Sequence, residues 1–256
     1  MPKRRQATSI TATALALALL PLAPGAAGEA DLTLRDSAPQ GFHIGSSVAG
    51  GGHLDAEDHP DPFTHDKAYT ALLGQEFDSL TPENRMKWSE LRPSEDTYDF
   101  SLADRIVEFA ARKDQEVRGH ALLWHQQNPD WLEEGDYSEQ ELRQILHEHV
   151  TTVVGRYKGR IHQWDVGNEL IDDDSRLRTE ENIWLRELGP EVISDVFRWA
   201  HAADPEAELF LNDYSIEDVN DKSDAYLTLV RDLLADAVPA VSYTHLRAHE
   251  TDSYLV

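Results

Sequence analysis

The chain has 256 residues, 40% of them hydrophobic, enough to bury one sizeable core in a single domain. It contains no cysteine, which excludes thiol catalysis, iron–sulfur ligation and disulfide stapling. Its 48 acidic against 23 basic residues give a formal charge of −25, which repels nucleic acid and anionic lipid and leaves neutral or cationic partners.

In chain order, Lys3, Arg4 and Arg5 precede an apolar run from Ile10 to Leu22 and the small residues Ala26, Ala27 and Gly28. Residues 1–30 are therefore read as an export signal, with a secreted, extracellular product. The run is shorter than the ~20 apolar residues of a membrane span, and Pro21 and Pro24 close it, so no membrane association is expected.

From Phe42 to Ala237, short apolar or β-branched stretches alternate with longer stretches of helical period, the pattern of βα units on a parallel sheet. Five strands are expected, at Phe42 to Gly45, Phe77 to Thr81, Val117 to Trp124, Ile161 to Val166 and Glu208 to Asn212. The clearest helix lies between the third and fourth. Leu142, Ile145, Leu146, His149, Val150, Val153, Val154 and Tyr157 recur at helical steps, and Ser138 with Glu141 forms a capping box. Pro190 suits a first helical turn ahead of the stripe Val192, Ile193, Val196, Phe197 and Ala200. Tyr226, Leu229, Val230, Leu233 and Leu234 form another stripe. Trp184, Trp199 and Phe197 read as helix core. Ser89 to Phe100 and Ile171 to Asn182 are polar and read as surface loops.

Cleavage of a glycosidic bond requires one carboxylic acid to protonate the leaving oxygen and a second carboxylate to attack or to activate water. At the end of the fourth strand, Trp164-Asp165-Val166-Gly167-Asn168-Glu169 brings Glu169 to the rim of the sheet, with Asn168 placed to hold a sugar 2-hydroxyl. Thr81-Pro82-Glu83-Asn84-Arg85-Met86-Lys87-Trp88 follows the second strand. Arg118-Gly119-His120 through Trp124-His125-Gln126-Gln127 to Trp131 runs through the third, and Leu211-Asn212-Asp213-Tyr214 closes the fifth. Successive rims thus offer amide, imidazole, ammonium and indole groups to a neutral polyhydroxylated ligand. His53, His59 and His65 crowd an acidic loop, and His245 and His249 have helical spacing, but neither set has a third ligand at fixed spacing. Asp172, Asp173 and Asp174 read as a solvated loop. No metal and no cofactor are expected.

These segments, in this order and over about Gly41 to Ala237, resemble the xylanases of glycoside hydrolase family 10. The resemblance implies an α/β fold, a (β/α)8 TIM barrel of which about five of eight βα units are present, with residues 31–240 forming its N-terminal part. It implies endo-acting, retaining hydrolysis of β-1,4-xylosidic bonds in xylan, with Glu169 as general acid/base and Asn168 contacting the 2-hydroxyl. Glu83, Asn84 and Lys87 correspond to donor-side sugar contacts. His120, Trp124 and Gln127 correspond to the lining of the cleavage subsite, and Tyr214 to a residue on the leaving-group side. A monomer is expected for the intact protein, and xylan or xylo-oligosaccharides are the expected partners.

Gly167 and Leu170 depart from the residues usual around the Asn-Glu pair. More consequentially, residues 241–256 resemble a read-through tail of linker or adapter origin, with no strand expected there, so the sixth strand and the seventh-strand nucleophile Glu are expected to be missing. Glu250 is not a candidate replacement. Two alternatives stand beside the xylanase: a retaining β-1,4-glucanase or mannanase of a related barrel family, and a non-catalytic fragment that binds xylo-oligosaccharides.

Overall fold

The computed structural model describes residues 32–52 and 60–240, and the backbone of 242–245. The expected export signal, His53, His59, His249 and Glu250 lie outside these residues. The unit Thr33–Val256 is built on one parallel sheet whose strand order follows the sequence, β1 (Gly45–Val48), β2 (Ser79–Pro82), β3 (Glu116–Leu123), β4 (Gln163–Asn168), β5 (Glu208–Asp213) and β6 (Ser242–His245). Ahead of β1 lies α1 (Leu34–Ser37), and α2 (Pro62–His65) and α3 (Lys67–Glu76) lead to β2. α4 (Trp88–Leu91) and α5 (Ser101–Arg112) connect β2 to β3, and α6 (Asp130–Glu133) and α7 (Glu139–Arg156) connect β3 to β4. α8 (Ile183–Leu188) and α9 (Val192–Ala203) lead to β5, and α10 (Asp221–Ala235) to β6. Each strand pairs in parallel with its successor, and helical crossovers in that order generate the singly wound sheet of a β/α-barrel.

Local chemistry explains the elements. In α7, the Ser138 side chain accepts from the Glu141 amide while the Glu141 carboxylate accepts from the Ser138 amide at 2.8 Å, which satisfies two donors that the first turn leaves open. Its stripe from Leu142 to Val154 is buried as the periodicity requires. Trp88, Trp164, Trp184, Tyr157 and Phe197 are fully buried large side chains of the core, and Trp199 packs against it edge-on to His147.

Four expectations need correction. The first strand is Gly45–Val48 rather than Phe42 to Gly45, and Phe42 is exposed. Its sequence, Gly-Ser-Ser-Val, carries little apolar signal because backbone pairing with β2 and the burial of Val48 define it. The segment Ser89 to Phe100, expected as a surface loop, opens inside α4, where Leu91 is fully buried. Leu234 is exposed, although Tyr226, Val230 and Leu233 of the same stripe are buried. A strand also forms where none was expected, since β6 pairs with β5 from Phe210↔Ser242 to Asp213↔His245. Among the described residues, no helix is long and apolar enough to cross a membrane.

Candidate active site

The ends of β2 to β5 bring the expected residues together. After β2, the Glu83 amide donates to the Val48 carbonyl at 3.0 Å, which ties this rim to β1. Asn84, 2% exposed, donates to the Gly50 carbonyl, and its Oδ1 accepts from Gln127 at 2.8 Å and from Lys87 at 3.4 Å. The Lys87 ammonium lies 4.0 Å from the centroid of the Trp124 ring. Burial pushes Lys87 down to about 8, against the opposing pull of the Glu169 and Glu83 carboxylates. Trp124 Nε1 donates to Glu169 Oε2 at 2.8 Å. Gln127, Asn84, Lys87, Trp124 and Glu169 thus form one connected row across three strand ends.

His120 and Asn168 are each held by a buried partner. Asp165 accepts from His120 Nδ1 at 2.9 Å and from Arg118 Nε at 3.0 Å. A carboxylate only accepts here, so this contact fixes Nδ1 as the protonated nitrogen of His120. Burial opposes the charge of Asp165, but the His120 hydrogen bond and the Arg118 charge hold its carboxyl below the usual carboxylate range. Asn212 Nδ2 donates to Asn168 Oδ1 at 2.7 Å. Asn168 Nδ2, also buried, has no hydrogen-bond partner among the described residues. The registers of β3 and β4 shift between His120 and Leu123 and between Asp165 and Gly167, irregularities of the kind that re-aim side chains at a rim.

Tyr214 is tied to the Glu169 backbone through Arg178, in a different network. Its hydroxyl accepts from Arg178 Nη2 at 2.7 Å and donates to Asp173 Oδ1 at 2.5 Å. Burial and the Asp173 hydrogen bond push the phenol up to about 12. Lys222 lies 3.1 Å from the Tyr214 ring centroid and pairs with Asp213 at 2.9 Å. Burial raises the Asp213 carboxyl even so. The Asp172 to Asp174 loop is engaged with Arg176 and Tyr214 rather than with any group that could hold a metal among the described residues.

Sequence reasoning missed several members of this site. Asp165 and Asn212 lie inside the quoted motifs, and alternation along β4 and β5 could have flagged them. Arg178 carried no signal, because it belongs to the polar loop after Glu169. The Gly50-Gly51-Gly52 turn also went unnoticed. Gly52 has φ +58, and a Cβ there would lie 2.9 Å from Gln127 Oε1 and 3.3 Å from Asn84, so a side chain at this position would intrude on the row. The Gly167 and Leu170 departures form one packing unit. A Cβ on Gly167 would lie 2.8 Å from Leu170 Cδ1 and 2.9 Å from Leu211 Cδ2, so the missing side chain at 167 makes room for the large one at 170.

A sequential parallel β/α sheet whose rims join a carboxylate, amides, an ammonium and an indole is part of a β/α-barrel and fits the glycoside hydrolase class. Residues 37–249 match the sequence model of glycosyl hydrolase family 10, and the chain belongs to that family. The match runs past the Gly41 to Ala237 span in which the resemblance was recognised, and it includes β6. Endo-1,4-beta-xylanase B of Thermotoga neapolitana is 43% identical over 171 residues, which is 67% of this chain and 49% of that protein. The beta-1,4-xylanase of Dictyoglomus thermophilum is 44% identical over 67% of this chain and 48% of its own length. Among solved structures, xylanase 10B of Thermotoga maritima superposes with a TM-score of 0.74 at 38% identity, covering 83% of this chain and 63% of that one. Xylanase 10B of Thermotoga petrophila RKU-1, solved in complex with xylobiose, gives 0.74 at 34% identity over 84% and 63%. The chain spans about half the length of these two curated relatives.

Proposed function

We propose that the chain is the front part of a secreted, monomeric endo-1,4-β-xylanase that cleaves internal bonds of xylan with retention of configuration. The observation that carries this reading is the Trp124 to Glu169 hydrogen bond of 2.8 Å, which sets a carboxyl group at the end of a row of sugar-binding side-chain types. In the first step Glu169 protonates the departing oxygen while a glutamate on a later strand attacks the anomeric carbon; in the second, Glu169 takes a proton from the water that resolves the glycosyl intermediate. Glu83, Asn84 and Lys87 hold the donor-side sugar, His120, Trp124 and Gln127 line the cleavage subsite, and Asn168 donates to the 2-hydroxyl. Tyr214 serves the leaving-group side. The similarity to xylanases at 43–44% identity and to a xylobiose complex supports xylan as the substrate.

The nucleophile is not among these 256 residues in this reading, so the chain binds xylo-oligosaccharides without turning them over. Calorimetry with xylotriose and with cellotriose, alongside a xylan hydrolysis assay on the purified chain, tests each part. The expected result is a preference for xylotriose and no hydrolysis. Measurable turnover would show that a nucleophile is present, and a preference for cellotriose would favour the β-1,4-glucanase reading.

A further inference from the structure

Glu169 is not glycine, yet its φ of +51 lies in the left-handed region, a backbone state that persists only where the surroundings impose it. Its amide donates to the Asn212 carbonyl at 2.8 Å. Its carbonyl accepts from Arg178 Nε at 3.0 Å, and the following carbonyl, that of Leu170, accepts from the Arg178 amide at 2.9 Å. Arg178 therefore grips the turn that carries the acid by both its backbone and its side chain.

The same guanidinium reaches further. Nη2 donates to the Tyr214 hydroxyl at 2.7 Å and Nη1 pairs with the Glu181 carboxylate, while the side chain as a whole is only 8% exposed. A guanidinium is planar and its donors are fixed relative to one another, so three simultaneous bonds lock three chain segments into one geometry. A lysine has one nitrogen and cannot reproduce that fork.

We infer that Arg178 is a positioning residue for the catalytic acid, holding the Glu169 turn and the leaving-group-side Tyr214 in a fixed relation so that the Glu169 carboxyl stays on Trp124 Nε1. This inference rests on the proposed acid role for its significance, but the positional claim is independent of it. Arg178 itself touches no reacting atom; it acts through the Glu169 backbone.

The hydrogen bond from Trp124 Nε1 to Glu169 provides a readout in the free protein. The chain has six tryptophans, and the indole N–H resonances of the core residues Trp88, Trp164 and Trp184 serve as internal controls for folding. In two-dimensional ¹H–¹⁵N spectra of the full chain, Glu169→Gln identifies the Trp124 signal by displacing it. Arg178→Met is expected to displace the same signal in the same direction by at least half as much, with the core indoles unmoved, and Arg178→Lys to give a smaller displacement. A Trp124 signal unchanged in a folded Arg178→Met chain would overturn the assignment. If Arg178→Met scatters the core indoles through misfolding, Arg178→Lys decides alone, with an unmoved Trp124 signal counting against the proposal. Xylotriose calorimetry on the same proteins separates the two readings: absence of binding to the unmodified chain defeats the xylan proposal, while the indole spectra still judge Arg178.

Discussion

At the scale of single residues, Lys87 shows what the row of rim side chains costs the fold. The residue is 7% exposed and burial brings its ammonium to about 8, below the 10.5 of a solvated lysine. Below about pH 8 the folded protein must keep a desolvated charge that the unfolded chain leaves in water, and this penalty fades as pH rises from about 8 to 10.5. Lys87→Met is therefore expected to stabilise the protein at pH 7 by about 1–3 kcal/mol, with the gain shrinking at pH 10, and to weaken xylo-oligosaccharide binding. Urea unfolding at the two pH values and calorimetry measure both effects. The sequence placed the segments of Lys87, Asn84 and Gln127 at strand ends, where the structure joins these three side chains, but the resemblance to family 10, not spacing, singled them out. Arg178 was not legible, since nothing in its spacing indicates that it folds back onto the Glu169 carbonyl.

Among the elements, α7 was legible almost to the residue, because cap, period and stripe all agree. β1 and α4 were not. The first is defined by a partner strand rather than by its own side chains, and the second is a single turn at the start of a polar segment. α7 also carries a feature that periodicity cannot reveal. His149 lies on its buried face, stacked on Trp88 with ring centroids 3.5 Å apart, and neither ring nitrogen has a hydrogen-bond partner among the described residues. Burial, assisted by the Arg92 charge, depresses the imidazole well below 6.5. Unfolded chains take up a proton at this position as pH falls below about 6.5 while the folded state does not, so stability present in full above that pH is lost on acidification. His149→Phe keeps a ring against Trp88 and removes the titration. Its thermal midpoint is expected to fall less between pH 7 and pH 5 than that of the unmodified chain, and parallel declines would argue against the assignment.

For the molecule as a whole, a charge of −25 on 256 residues opposes compaction through self-repulsion. Raising salt from about 0.01 M to about 0.5 M shortens the screening length several-fold and is expected to raise the melting temperature by several degrees. A calorimetric scan at both salt levels checks this, and a lower melting temperature in salt would mean that the specific ion pairs, such as Arg85 with Asp61 and Glu90, outweigh the net repulsion. The parallel α/β architecture was legible from alternation alone, whereas β6 was hidden by a segment without apolar alternation.

The side-chain bonds of the rim share a regular separation in the chain. Asn84 and Gln127 are 43 residues apart, Trp124 and Glu169 are 45, and Asn168 and Asn212 are 44. Each bond links one βα unit only to the next, so a disturbance at Asn84 reaches Asn212 by relay through intermediate strands. Lengthening a helix on the outside of the sheet changes none of these pairings, and exchanging one unit for a homologous one breaks just the two seams on its flanks. The rim network is therefore modular along the chain, with a period of one strand and its crossover.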